Sequence, residues 1–463
     1  MDVWLINPPW EQLKEDVRAK AKVENTMPSL GLGYIASILE AHGVKVRILD
    51  INVEGFSPKK LRDYLTNNNF RPKHIGITTT SHTILQALDV AQACKEALPK
   101  SAVTLGGVHP SIMPDETLAS ENVDYVIRGE GEFAYLELIR GRPLEKIEGL
   151  SYKQEGRIIH NPPRPPIADI DDLPFPAFHL MELSKYHPTI GSYKQLPLMG
   201  VIGSRGCPFN CTYCASPAFW GRKVRFRTAK NLVEEIDFLV KEYGIKEIQL
   251  LDDNFTASQK RFMEFCRLLA EAPFKISWSC NSRVDCIDDE MLKIMKATGC
   301  HSITYGIESG DIEMLKRIKK KISLEQARDA IKLTKGHRIT CRTSFMFGNP
   351  GETHETIRKT VKFAMETMPD FVIYNILKPY PGTEVYHWAK ERKLLDEKWY
   401  LSPDSSHIIE SPGLSRKELV DLQRNSMRQF YLRPRYIISR FSRLGSFRDL
   451  LVYLKGFLKI LHA

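Results

Sequence analysis

Gly206-Cys207-Pro208-Phe209-Asn210-Cys211-Thr212-Tyr213-Cys214 sets three cysteines in a CxxxCxxC spacing, directly after an apolar stretch at 198–204 that reads as a strand. Three thiolates on one tight loop can hold three irons of a 4Fe–4S cube. With no fourth cysteine nearby, the fourth iron keeps an open position, able to bind a substrate and pass it one electron. Zinc is the alternative, but it takes four closed ligands, usually as two CxxC-type pairs, and the second pair is missing. A group of buried structural cysteines is the other alternative.

Downstream of this loop the pattern alternates between strand and helix. Strands are expected at 247–252, 275–281, 302–307, 340–348 and 371–377, with amphipathic helices between them. Six parallel strands with intervening helices predict a partial (β/α)6 barrel, whose chemistry belongs at the carboxyl ends of the strands. Polar residues collect there: Asp252-Asp253-Asn254, Asn281-Ser282-Arg283, Gly306-Ile307-Glu308-Ser309-Gly310, Gly348-Asn349-Pro350-Gly351-Glu352 and Pro379–Thr383.

The cysteine motif, with aromatic Tyr213 inside its last CxxC, resembles that of the radical S-adenosylmethionine (SAM) enzymes. Over nearly the whole chain it looks closest to the cobalamin-binding class. That resemblance implies a cluster held by Cys207, Cys211 and Cys214, whose open iron chelates the amino and carboxylate groups of SAM. Reductive cleavage then yields a 5′-deoxyadenosyl radical. It further implies SAM contacts from Tyr213, Asn281, Glu308 and Ser309, and from Gly348 in the stretch near the adenine. Arg283 is expected to pair with the SAM carboxylate.

Upstream, residues 1–150 also alternate, with strands expected at 3–7, 44–50, 74–79, 102–106 and 125–128. This predicts a doubly wound, Rossmann-like parallel sheet that binds its ligand beyond the carboxyl ends of its strands. GxGxxG is absent after the first strand, which counts against NAD. By resemblance this is a cobalamin-binding domain. The contacts would come from Asn7 and Pro8, from Asp50, Asn52 and Gly55, from Thr78, Thr79 and Thr80, from Gly106 and Gly107, and from Gly129 and Glu130. The family's histidine-on members carry Asp-x-His-x-x-Gly. Here Asp50-Ile51-Asn52-Val53-Glu54-Gly55 puts asparagine, a poor cobalt ligand, in the histidine position.

Residues 151–194 read as a hairpin followed by a Pro-rich extended strap, residues 195–390 as the cluster domain, and 391–463 as a helical, basic tail. The tail from Tyr431 interleaves Arg and Lys with aromatic and aliphatic residues. Such a segment can lie on an anionic membrane surface, pack on its own protein or close a site. Arg222–Arg227 is a second basic run, open to reading as a nucleic-acid patch, a solvated face or an anchor for cofactor phosphate or an acidic substrate. Lys316–Lys321 reads as a solvated loop.

The chain has 463 residues and a net charge of +10. No apolar run of about 18 residues suggests a transmembrane helix, and the N-terminus has no signal-peptide pattern. Nine cysteines, six of them scattered, argue against a disulfide framework. A cytoplasmic enzyme is expected, with peripheral membrane contact through the tail as an option. Stacking aromatics do not accompany a wide basic surface, so no nucleic-acid partner is expected. The resemblance implies a small-molecule or lipid-like substrate, an external reductant of flavodoxin or ferredoxin type, and C-methyl transfer through methylcobalamin. Oxidative cyclisation or ring rearrangement is the runner-up. Methylthiotransfer would need further cysteines in the first domain, where Cys94 stands alone. A non-enzymatic cluster scaffold is the remaining rival.

Overall fold

The first strand, β1 (Asp2–Asn7), is apolar on both faces: Val3, Trp4, Leu5 and Ile6 are all buried. That is the signature of a central strand in a parallel sheet covered on both sides. It lies between β2 (Lys45–Asp50) and β3 (His74–Thr78), followed by β4 (Ala102–Gly106) and β5 (Tyr125–Ile127), all parallel. A hairpin of β6 (Leu150–Gln154) and β7 (Arg157–His160) adds antiparallel to β5, giving the order β2-β1-β3-β4-β5-β6-β7. Its two-residue turn, Glu155-Gly156, has both φ values positive, as a tight primed turn requires. The hairpin was expected. Its role in extending the sheet was not legible.

This computed structural model describes residues 2–10, 26–67, 71–189, 191–395 and 413–441. It divides into two units. One is Met1–Thr189 with Ala218–Gly221 and Arg225–Arg227; the other is Ile190–Pro217 with Arg222–Val224 and Thr228–Ala463.

The second unit is built on β8 (Leu198–Val201), after which come the two-residue strands β9 (Ser204–Arg205) and β10 (Arg225–Phe226), the latter on a segment of the first unit. β11 (Glu247–Leu250), β12 (Ser277–Ser282), β13 (Cys300–Glu308), β14 (Thr340–Phe347) and β15 (Phe371–Ile376) complete a six-stranded parallel sheet in the order β15-β14-β13-β12-β11-β8. The intervening helices begin at side-chain caps. Thr228, Ser258, Asp288, Ser323 and Thr353 each accept a hydrogen bond from a backbone N–H of the first turn. Phe255, Phe262, Phe265 and Trp278 form an edge-to-face aromatic core behind β12. Both expected architectures, the doubly wound sheet and the six-stranded half-barrel, are present.

β15 is an edge strand, and an edge needs cover. The helix Arg416–Tyr431, opened by a Ser415/Glu418 capping box, supplies it. The Tyr431 hydroxyl accepts from Val372 N at 2.9 Å and donates to Val372 O at 2.8 Å; Gln423 Nε2 donates to Tyr374 O at 2.5 Å. This part of the expected tail packs on its own protein. Most of the basic aromatic stretch, 442–463, lies outside the described residues. No helix among the described residues is long and apolar enough to cross a membrane.

Candidate active site

The cysteine loop leaves β9 through Gly206, whose φ of +101° admits little but glycine, and ends at the short helix Ser216–Trp220. Its approach is fixed by buried Asp252, which accepts from Gly203 N at 2.9 Å and from the Ser204 hydroxyl. Arg261 Nη2 donates to Gly203 O at 2.8 Å. Within the loop, Thr212 N bonds to Ile318 O and Val385 N to Thr212 O, so the motif is held from two sides. Tyr213 packs against Met346, Leu377, Val385 and Ala389. The thiols are half-buried. Burial raises the Cys207 thiol and pushes Cys214 up to about 11, so their protons leave when metal binds rather than before. Among the described residues, no group of three or more His, Cys, Asp or Glu side chains converges on a single metal ion. Three thiols from one loop fit three corners of a cube, with the fourth iron left to a ligand.

Across from this loop, β13 ends in a bulge between Gly306 and Glu308, and Glu308 takes a φ of +75°. A non-glycine residue in that region carries strain, which marks an aimed side chain. Glu308 pairs with buried Lys320 at 3.3 Å, and Lys320 Nζ also reaches the Tyr213 hydroxyl at 3.4 Å. A Cβ at Gly306 would sit 2.4 Å from Glu308 Oε1 and 3.1 Å from Lys320 Nζ, so the glycine makes room for the pair. Ser309 is fully buried and bonds to Thr360, while Gly348 (φ +88°) donates its N–H to Glu352 at 2.6 Å.

In the first unit, the strand order reverses between β1 and β3, the switch point at which open α/β sheets bind ligands. The loops there are tightly organised. Asp50 accepts from Asn7 Nδ2, from Asn52 N and Nδ2, and from the Tyr186 hydroxyl, each at 3.0 Å. Asn52 Nδ2 also donates to Pro8 O, and Asn52 Oδ1 accepts from Trp10 N at 2.8 Å. Trp10 is 52% exposed and its ring lies 5.7 Å from that of His82, across the switch point. Thr79 N bonds to Gly106 O, and Gly107 (φ +102°) lies so close that a Cβ would come within 2.5 Å of Thr79 O. Glycine at 107 thus lets the loops after β3 and β4 pack backbone to backbone.

The radical SAM superfamily model matches residues 201–364, and the B12 binding domain model matches residues 18–139. An uncharacterized methyltransferase of Pyrococcus horikoshii is 35% identical over 95% of this chain and 94% of its own length. The chain belongs to the cobalamin-binding radical SAM family. An anaerobic magnesium-protoporphyrin IX monomethyl ester cyclase of Rubrivivax gelatinosus is 29% identical over 95% of this chain and 80% of its length. The structure of the cobalamin-dependent SAM radical enzyme OxsB covers 99% of this chain and 70% of that one, with a TM-score of 0.74 at 19% identity, a likeness of fold. As a member of this family the chain is a radical SAM enzyme whose cofactors are a 4Fe–4S cluster, SAM and cobalamin.

Several expected residues stand elsewhere than their type suggested. Arg283, expected on the SAM carboxylate, has its guanidinium bound by both oxygens of Asp285 at 2.9 and 2.8 Å, by Lys320 O, and by the face of Phe209. It secures the cysteine loop. Asn281 half-buries its amide 3.4 Å from Asp252 O. Asn52 spends both amide hydrogens and one oxygen lone pair on bonds within the loops. Gly55 ends a short turn at φ +62° and Gly129 takes φ +79° with its N–H on Ser111, while Thr78 and Thr80 flank the buried Thr79.

Glu130 is taken up by Arg225, at 2.7 Å, and by Ile167 N. The basic run 222–227 is thus not a wholly solvated face: Arg225 and Arg227 are buried, the latter over Phe175. Lys320 likewise corrects the reading of 316–321 as a solvated loop. Sequence reasoning also missed His109, fully buried between Ser81 and Glu116, and Tyr186, which carries the strap into the Asp50 network. The Gly106-Gly107-Val108-His109-Pro110 run was the available signal for His109. None existed for Tyr186.

Proposed function

We propose that this enzyme transfers a methyl group to an unactivated carbon of a small molecule. The observation that carries the reading is the cysteine loop standing beside the Glu308–Lys320 pair at the carboxyl ends of one parallel sheet. Cys207, Cys211 and Cys214 hold the cluster, and Tyr213, Glu308, Ser309 and Gly348 border the SAM site. Residues 1–150 bind the corrinoid beyond β1 and β3, residues 151–194 strap that unit, residues 195–390 form the cluster core and 391–463 the tail. The cluster supplies the electron that cleaves SAM, and cobalamin carries the methyl group. The chain's own part would be to hold thiolates at fixed corners, to orient an amino acid against a buried ion pair and, in the first unit, to offer a corrinoid an amide at Asn52 in place of an imidazole. The similarity to a methyltransferase over nearly the full chain supports this reading.

The cyclase relative favours a second reading, oxidative cyclisation without net methylation. The two differ in products. Protein reconstituted anaerobically with iron, sulfide and hydroxocobalamin, then given SAM and a strong reductant, is expected to retain corrinoid and release both 5′-deoxyadenosine and S-adenosylhomocysteine. Deoxyadenosine alone would transfer the assignment to cyclisation. Loss of the corrinoid on desalting would end the cobalamin reading for this chain.

A small flavodoxin- or ferredoxin-type protein is the reductant in this scheme. A reducing, cytoplasmic setting suits a chain whose cysteines are all free. Peripheral membrane contact would fall to the helix Pro434–Phe441, where Ile438 is 68% exposed, and to the residues beyond it.

A further inference from the structure

The two segments that grip the cysteine loop both carry positive charge to the surface. On one side Thr212 N donates to Ile318 O at 3.1 Å, and Cys211 Sγ lies 4.0 Å from Lys319 O. On the other, Val385 N donates to Thr212 O at 3.0 Å, at the start of the helix Glu384–Glu391. Lys319 Nζ reaches Glu384 at 2.6 Å and ties the two segments together. Lys319 and Lys321 take left-handed φ values of +54° and +55°. The chain thereby doubles back around buried Lys320 and leaves Lys321 exposed, as are Lys316 and Arg317 before it. The helix Glu384–Glu391 leads into a second exposed set, Lys390, Arg392 and Lys393. Charge is not balanced here. Lys316 is paired with Glu313 and Lys319 with Glu384, but Arg317, Lys321, Lys390 and Lys393 have no carboxylate at ion-pair distance among the described residues. Ile312, 41% exposed, stands one helical turn before Lys316 on the same face, an apolar contact among cations. What singles out these lysines is the backbone that bears them: one carbonyl separates a motif thiol from a surface cation.

We infer that the face formed by residues 312–321 and 384–393 is the docking surface for the electron donor, a small acidic carrier protein whose redox group is brought against Lys319 and Cys211. The inference rests on the reading above, in which a flavodoxin- or ferredoxin-type protein feeds a cluster on Cys207, Cys211 and Cys214. The carrier is oxidised by one electron and the cluster reduced by one, with no bond made or broken in this chain. Redox encounters are small, short-lived interfaces, so charge steering sets their rate more than buried area does. A carrier with an acidic face is drawn to such a patch, and a cationic donor is not.

The test is the rate at which cluster-loaded protein is reduced, followed anaerobically by stopped-flow absorbance, with reduced flavodoxin and reduced methyl viologen as separate donors. The first is an acidic protein; the second is a small cation that needs no docking face. Lys316→Glu combined with Lys321→Glu is expected to slow reduction by flavodoxin roughly 10- to 100-fold at low salt and to leave reduction by methyl viologen no slower. Titration with oxidised flavodoxin should show a parallel loss of affinity, a readout independent of turnover. Added salt should slow the wild type and narrow its lead over the variant, because exposed charges are screened beyond about 10 Å at 0.1 M. Lys390→Glu combined with Lys393→Glu, on the second segment, should act in the same direction; this pair decides the matter if the first loads less iron. Lys332→Glu, towards the end of the helix Leu324–Gly336, changes net charge away from this face and should have little effect. A flavodoxin rate insensitive to both pairs, an equal slowing with methyl viologen, or an equal effect of Lys332→Glu would each overturn the assignment. Wild-type protein reduced by methyl viologen but not by flavodoxin would overturn the carrier reading as well, and is distinguished by appearing before any substitution is made.

Discussion

The guanidinium carbon of Arg283 lies 3.6 Å from the ring centroid of Phe209, while its fork grips both carboxylate oxygens of Asp285. One side chain thereby joins the carboxyl end of β12 to the middle of the cysteine loop. Lysine could keep the charge but neither the planar stack nor the bidentate grip. Arg283→Lys is expected to cost about 2 kcal/mol of loop order, the scale of a desolvated cation–π contact. Iron release to a chelator should be correspondingly faster. An unchanged release rate would show that Phe209 needs no such brace.

Asn52 makes three side-chain bonds inside the loops after β1 and β2. Restoring the family's histidine by Asn52→His should therefore not restore ligation. An imidazole cannot donate to Pro8 O and Asp50 while accepting from Trp10 N. Reduced corrinoid affinity is expected, and cob(II)alamin in the variant should show no nitrogen superhyperfine splitting by electron paramagnetic resonance. A clear nitrogen triplet would refute this account of the loop.

Glu352 holds the N–H groups of Gly348 and Asn349 with one oxygen, and its Oε1 has no partner. Burial pushes its carboxyl up to about 7 from an ordinary 4.5. The folded protein thus binds this proton more tightly than the unfolded chain. The associated stability is complete below about pH 4.5 and is lost as pH rises through 7, roughly 3 kcal/mol in all. Glu352→Gln should flatten that part of the stability–pH curve. A curve of unchanged slope between pH 5 and 7 would rule the group out as its source.

Arg225 and Glu130 form an ion pair with side chains only 8% and 6% exposed. Removing one partner strands a buried charge, so Arg225→Ala should lose about 3–5 kcal/mol. Replacing both, as Arg225→Met with Glu130→Leu, should lose much less. Urea midpoints of the two variants decide it, and equal losses would mean that packing, not charge, holds the 225–227 segment.

Both sheets were legible because strands buried on two faces, capped amphipathic helices and Gly or small polar residues at strand ends repeat with a regular period. That the cysteine motif stands in a loop directly after a strand was legible from its spacing and the apolar stretch before it. The fates of Arg283 and Lys320 were not. A sequence shows that an arginine follows a strand, but not that Asp285, two residues on, folds back to take its fork. Lys320 stands in a run of five basic residues within 316–321 that reads as solvent-facing, and the turn that buries one of them comes from contact with Thr212, more than a hundred residues away. The Asp50 network shows the same limit: Asn7, Asn52 and Tyr186 are scattered along the chain and meet only after β1 and β2 have paired.

The phenol of Tyr431 bonds both backbone groups of Val372 from 59 positions away in sequence. During synthesis β15 is complete well before its guard exists. At 5–20 residues per second the gap lasts about 3–12 s. For that interval every nascent chain presents a bare strand to its neighbours on the same messenger. Expression yield should accordingly depend on translation speed over the stretch between the two residues, a vulnerability that no assay on the finished enzyme would reveal.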